Sequence, residues 1–295
     1  MKLSIEEKIK IITNLRQKDA KKPVDPAIMA KYPIKEIREM FIPTRTEDAH
    51  IYVHYPLGGN APYPVYVNIH GGGFVKGHFQ VDELFCRKIA NKVGCVVIDI
   101  DYKLAPEFMF PYALNECYDV IKWAYDHSEE LSIDKNRIAL GGHSAGGNLA
   151  AGIALMANES NDFKLACQIL DYPSLDLLTD PANKNFIDPV IPLEKARLYN
   201  DMYVNEEDKS NPLASPVFAS TEMLKDLPPT LILTAELDRL RDEAEKYALL
   251  LIQAGVGVSV KRFIGARHGF TIKLMDDYEI STEMIVRTLR NTFIV

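Results

Sequence analysis

Gly142-His143-Ser144-Ala145-Gly146 is the stretch of this chain best suited to chemistry. A G-x-S-x-G run placed where a strand turns into a helix exposes its serine as a nucleophile. Arg137-Ile138-Ala139-Leu140 before it suits a short buried strand, and Asn148 through Ala157 is rich enough in Ala and Leu for a helix, so Ser144 falls on the turn. A sharp elbow forces the nucleophile into a strained backbone conformation, and bulk at Gly142 or Gly146 would collide with neighbouring backbone. Short Gly/Ser runs also arise by chance, so the rest of the chain has to supply the partners.

A serine at its free pKa is a poor nucleophile; a histidine must accept its proton and a carboxylate must hold that histidine in the right tautomer. The chain order found with such an elbow, nucleophile then acid then base, selects Asp238 and His268. Asp238 follows a strand ending at Thr234, and His268 follows one ending near Phe263, with Gly265 and Gly269 permitting a tight loop. Both therefore sit at the carboxyl ends of strands, where open parallel sheets bind ligands. Asp242 is the rival acid, but it begins a helical pattern and suits a cap. His70-Gly71-Gly72-Gly73-Phe74 supplies the electrostatic part: the N–H groups of Gly72 and Gly73, joined by that of Ala145, can surround a developing oxyanion. Alone, the same run is an ordinary glycine turn.

The elements that must position these groups alternate. Strands are expected at Ile51–Tyr55, Val65–Ile69, Cys95–Ile100, Ala166–Leu170, Thr230–Thr234 and Val258–Phe263, and helices at Val81–Val93 and Tyr112–Tyr125. Val96-Val97-Ile98 and Leu231-Ile232-Leu233 are continuously apolar, as strands covered on both faces are. The pattern predicts an α/β fold: a mostly parallel central sheet with helices on both faces. Ile5, Ile9, Ile12 and Leu15 share one face of an N-terminal helix opened by a Ser4/Glu7 capping box, and residues 1 to about 40 look like an appendage. Between Leu175 and Phe218 the alternation lapses into a Pro-, Asn- and Asp-rich stretch with one helical pattern at Leu193–Tyr203, a candidate lid. Tyr199, Tyr203, Phe186 and Met202 there could line an acyl pocket, although such spacing also serves simple packing.

With these segments in place, the chain resembles the carboxylesterases of the hormone-sensitive lipase family of α/β hydrolases. The resemblance runs from about Ile42 to Phe270. It rests on His70-Gly71-Gly72-Gly73-Phe74, Asp101-Tyr102-Lys103-Leu104-Ala105-Pro106-Glu107, Gly142 through Ala150, Leu240-Arg241-Asp242-Glu243 and Arg267-His268-Gly269-Phe270, in that order. It implies the α/β-hydrolase fold with a small helical cap built from residues 1–40 and 175–218 on a single domain spanning 1–295. It also implies Ser144 as nucleophile, Asp238 as acid, His268 as base, and Gly72, Gly73 and Ala145 as oxyanion donors. Short acyl esters are the substrates it suggests. Two positions depart from the family: His143 stands where an acidic residue is usual, and Arg239, after the triad acid, could pair with Asp238 and compete for it.

Composition narrows the alternatives. The 295 residues are 47% hydrophobic and 25% charged, ordinary globular values that permit a large core. The net charge is −7 and the Lys18, Lys21, Lys22 cluster is short, so nucleic acid is not an expected partner. Acidic residues interrupt the N-terminus where a secretory signal needs an apolar core, and no stretch is long and apolar enough to span a bilayer, so a cytoplasmic protein without membrane partners is expected. Cys86, Cys95, Cys117 and Cys167 are spread through apolar runs and read as buried free thiols. His50 and His54 share a strand face but lack a recognisable set of further ligands, so they read as surface histidines with no metal. No phosphate-cradling glycine motif appears, and no cofactor is expected. An open sheet edge leaves room for a homodimer. The same triad would serve an amidase or peptidase, and a ligand-binding protein on this fold is the reading from another class.

Overall fold

The structure, a computed structural model, describes residues 4–19, 23–184 and 191–294. Lys21, Lys22 and Phe186 lie outside these residues, as does the side chain of Lys18.

Eight strands form one sheet: β1 (Glu36–Ile42), β2 (Ala49–Tyr55), β3 (Tyr63–Ile69), β4 (Val96–Asp101), β5 (Ile133–His143), β6 (Cys167–Asp171), β7 (Thr230–Leu237) and β8 (Val258–Arg267). Their order is β1-β2-β4-β3-β5-β6-β7-β8. β2 runs antiparallel to β1 and β4, and every other pairing is parallel. The helices among the described residues are α1 (Ile5–Asp19), α2 (Pro26–Met29), α3 (Gln80–Val93), α4 (Tyr112–Asp126), α5 (Ala145–Ser160), α6 (Leu193–Tyr203), α7 (Thr221–Leu224), α8 (Arg241–Gln253) and α9 (Tyr278–Phe293).

Strand alternation divides the apolar core between the two faces of the sheet. Val65, Val67 and Ile69 of β3 join Val96 and Ile98 of β4 in a cluster with residues of α4, α5 and α8. Tyr66 and Val97, pointing the other way, join Phe85 and Ile89 of α3 and Ile285, Val286 and Leu289 of α9. A sheet buried on both faces needs apolar residues at consecutive positions, which explains the unbroken runs in β4 and β7. All four cysteines are free and buried, as expected.

The N-terminal segment behaves in two ways. Ser4 and Glu7 exchange the expected capping-box hydrogen bonds at the start of α1, and Ile12 is fully buried in the larger cluster. Lys8 Nζ donates to the carbonyl of Asp201 in α6 at 2.6 Å, and Arg16 makes a two-pronged pair with Glu107. From Glu36, however, the chain enters the central sheet as edge strand β1, earlier than the end of the expected appendage. Parallel pairing of Ile69 with Gly142 is the register that matters most, because it sets the glycine loop after β3 beside the turn after β5.

Candidate active site

Ser144 stands on that turn, between the end of β5 and the first residue of α5, with φ 54° and ψ −113°. A positive φ is costly for a residue with a side chain and persists only where its surroundings enforce it. Here the Ser144 N–H donates to the carbonyl of Asp171 at 2.9 Å, and its own carbonyl accepts from Asn148 and Ser174, each at 3.1 Å. The flanking glycines have no room for a side chain: a Cβ on Gly142 would lie 2.3 Å from the Gly146 carbonyl oxygen, and one on Gly146 would lie 2.0 Å from that of Ile69.

The expected partners converge on this serine. His268, in the loop after β8, places Nε2 3.0 Å from Ser144 Oγ and Nδ1 2.8 Å from Asp238 Oδ2. Asp238 follows β7, and its Oδ1 accepts the backbone N–H of Leu240 at 3.1 Å. Both side chains are buried, with Asp238 5% and His268 6% exposed, and the imidazole meets the edge of the Tyr172 ring at 5.0 Å. Such enclosure keeps water from competing for the hydrogen bonds of the relay.

Gly72 and Gly73, with φ 128° and 63°, follow His70 in the loop after β3. Their N–H groups and that of Ala145 have no hydrogen-bond partner among the described residues. All three residues line the cavity of about 260 Å³ that opens on Ser144. Phe79, Tyr172, Tyr199, Leu240 and Ile272 give that cavity apolar walls. Tyr199, from α6, lies so close to Gly73 that a Cβ there would come within 2.3 Å of its ring. Of the aromatic and Met candidates in the insertion that are described, only Tyr199 lines the cavity; Tyr203 stacks on Phe74 and Met202 is buried, so both serve packing.

The two departures from the family pattern both lie on the wall of this cavity. His143 is buried, with Nδ1 2.9 Å from Asp171 Oδ2 and its ring perpendicular to Phe85. Arg239 donates through Nη1 to the carbonyl of Pro181, while the hydrogen bonds of Asp238 go to His268 and Leu240. Leu240, not Asp242, is the capping residue of α8; Asp242 sits in its first turn and accepts from Arg241 Nε at 2.7 Å.

The histidines of β2 correct the expectation. His50 is part-exposed and bonded to Glu39, but His54 is wholly buried, because its face of β2 is covered by α3 rather than by solvent. Cys86 and Asp99, from α3 and β4, lie beside it.

Residue spacing does not reveal the buried pair of Lys184 and Glu243. Glu243 also accepts the N–H groups of Leu175 at 2.7 Å and Asp176 at 3.2 Å, so it ties the start of the insertion to α8. Burial pushes its carboxyl up to about 7, opposed by the Lys184 ammonium. Its place in the Leu240-Arg241-Asp242-Glu243 run was the available signal. Lys273, on the cavity wall, is pushed down by burial and by the neighbouring charges of Lys76 and Lys195.

Comparison with known proteins agrees with the fold. Residues 66–272 match the family model described as the alpha/beta hydrolase fold. The chain is 36% identical over 247 residues to the arylesterase of Saccharolobus solfataricus, covering 81% of this chain and 78% of that one. It is 35% identical over 212 residues to esterase LipI of Mycobacterium tuberculosis, covering 71% and 66% respectively. Among solved structures, the Pyrobaculum calidifontis esterase superposes with a TM-score of 0.88 at 34% identity, covering 96% of this chain and 94% of that one. The family match over most of the chain, the sequence identity to esterases and the shared sheet lead to one assignment: the chain belongs to the hormone-sensitive lipase branch of the α/β-hydrolase family.

Proposed function

We propose that the protein is a carboxylic ester hydrolase that forms an acyl-enzyme on Ser144. The observation that carries the reading is the continuous chain from Ser144 Oγ through His268 to Asp238, at 3.0 and 2.8 Å, beside three unengaged N–H groups in one cavity. In the proposed sequence His268 Nε2 takes the serine proton as Oγ bonds to the ester carbonyl carbon. The carbonyl oxygen becomes an anion and meets the N–H groups of Gly72, Gly73 and Ala145, each such donor being worth about 2.7–4 kcal/mol in the transition state. Asp238 steadies the imidazolium, which returns its proton to the departing alkoxide as the C–O bond breaks. Water, deprotonated by the same imidazole, then attacks the acyl carbonyl and frees the acid and the serine.

The substrates proposed are small esters with short acyl chains, which suit a cavity of about 260 Å³. The segment that precedes β1 and residues 175–218 act as the cap on a single domain, a role supported by the α1–α6 contact and by Tyr199 reaching over Gly73. Four buried thiols suit a reducing compartment, and the proposal places the enzyme in the cytoplasm. Among the described residues no helix is long and apolar enough to cross a membrane. The edge strands β1 and β8 offer the surfaces for the homodimer that belongs to this proposal.

A panel of p-nitrophenyl esters of increasing acyl length, with the matching anilides, tests the reading against Ser144→Ala. Wild type should turn over the acetate and butyrate esters fastest and the anilides negligibly, and S144A should lose more than about 10⁴-fold in kcat. Turnover of no ester, or an active S144A, would overturn it.

A further inference from the structure

The layer between β2, β4 and α3 holds a buried polar group. His54, Cys86 and Asp99 are each fully buried there, and one donor atom from each lies within 4.8 Å of the others. Both ring nitrogens of His54 lack a hydrogen-bond partner. A neutral imidazole carries one N–H and one lone pair, so leaving both unmet inside a protein costs free energy that a native fold ordinarily recovers through a ligand or an ion. The carboxylate is already oriented, since Asn68 Nδ2 donates to Asp99 Oδ1 at 2.8 Å and His78 Nε2 lies 2.6 Å from Oδ2. Outer hydrogen bonds of this kind are what fix a metal-ligating carboxylate. A cavity of about 420 Å³ lined by Tyr52, His54, His78 and Glu83 borders the His54 side of the group.

We propose that His54, Cys86 and Asp99 form a divalent transition-metal site, with zinc the ion their mixed nitrogen, sulfur and oxygen donors favour, and with His78 and Asn68 orienting the carboxylate. The donor set excludes magnesium and calcium, which prefer oxygen alone, whereas imidazole with thiolate suits zinc or cobalt. Zinc–ligand lengths of about 2.0–2.3 Å set donors roughly 3.3–3.7 Å apart in a tetrahedron, so the group must draw in by about 1 Å at its widest edge. Three protein ligands leave a fourth position, which the cavity on the His54 side can fill with water. The site shares no residue with the Ser144 relay. Its expected effect is to pin β2, β4 and α3 together, because an ion that binds only the folded arrangement stabilises it.

Untagged full-length protein, stripped with chelator and dialysed, is titrated with Co²⁺ and separately with Zn²⁺. Wild type should take up about one equivalent by elemental analysis, develop the near-ultraviolet thiolate-to-cobalt charge-transfer band, and show a Tm several degrees higher with Zn²⁺. Cys86→Ser should lose the band and His54→Ala should weaken uptake at least tenfold. Wild type that binds less than a tenth of an equivalent, or that shows no charge-transfer band, overturns the proposal without reference to any variant. A band that persists in a folded Cys86→Ser protein overturns it as well.

Discussion

Replacing Asp238 by asparagine tests the carboxylate that faces the base, and the structure predicts why an almost isosteric change should be severe. Oδ1 of Asp238 accepts the Leu240 N–H at 3.1 Å while Oδ2 faces His268 Nδ1 at 2.8 Å. An asparagine placed there must turn its oxygen to Leu240, because the amide nitrogen would otherwise set donor against donor. Its NH₂ group then points at His268 Nδ1 and is satisfied only if Nδ1 carries no proton. The neutral imidazole must therefore carry its hydrogen on Nε2, the nitrogen 3.0 Å from Ser144 Oγ, and in that tautomer it cannot accept the serine proton. The same substitution in a chymotrypsin-type triad lowers kcat about 10⁴-fold, roughly 5.4 kcal/mol at 1.36 kcal/mol per decade. The assay is p-nitrophenyl acetate hydrolysis by wild type, D238N and D242N, with near-ultraviolet circular dichroism to check folding. D238N should lose about 10⁴-fold in kcat with KM changed only a few-fold, and D242N should stay within about twofold, because Asp242 bonds to Arg241 on the first turn of α8. A D238N enzyme within tenfold of wild type, or a D242N enzyme equally impaired, would refute the assignment of the acid and the tautomer argument with it.

Three further outcomes follow from particular contacts. Gly73→Ala places a Cβ 2.3 Å from the Tyr199 ring at a backbone φ of 63°, so it should displace an oxyanion donor and lower kcat by about 10²–10³-fold; adding Tyr199→Ala should restore part of that loss, and steady-state kinetics on the same ester read both. Glu243→Ala removes the carboxylate opposite buried Lys184 and the acceptor for Leu175 and Asp176; urea unfolding should show a loss of about 3–5 kcal/mol, with Glu243→Gln losing less because it keeps an acceptor. Glu116, buried with its carboxylate taking the Lys103 N–H at 2.7 Å, is pushed by burial from 4.5 up to about 7. A raised carboxyl means that the folded chain keeps a proton the unfolded chain releases, so this contribution to stability is complete below about pH 4.5 and is lost as pH rises through about 7. Glu116→Gln lacks that loss, and its stability relative to wild type should climb by on the order of 3 kcal/mol across the window; parallel stability–pH curves would refute the placement of the charge.

What could be read in advance divides according to whether the physical requirement is local. The elbow is legible because a nucleophile at φ 54° with backbone packed against it leaves no choice but glycine at 142 and 146, and that requirement is written within five residues. The double-faced strands are legible for the same reason: burial on both sides of β4 demands apolar neighbours at successive positions. Edge strand β1 escapes, since Glu36-Ile37-Arg38-Glu39-Met40 is half-exposed and its charges mask the alternation. α9 escapes although Ile285, Val286, Leu289 and Phe293 share its buried face, because no chemical motif draws attention to the chain after Phe270. The relay spans 124 residues between Ser144 and His268, yet it can be inferred, because a fixed chain order and a known reaction constrain where acid and base must come from. No such constraint exists for Lys184 with Glu243, or for His54 with Cys86 and Asp99. Alternation shows that His50 and His54 share a face of β2, but not that α3 covers one of them and leaves the other part-exposed. A buried polar group assembled from three elements carries no spacing of its own; its members become neighbours only through the crossover that puts β4 between β2 and β3 and lays α3 over them. Polar residues in otherwise apolar elements, such as Asp99 between Ile98 and Ile100, are therefore the positions where sequence reading should anticipate a partner without naming it.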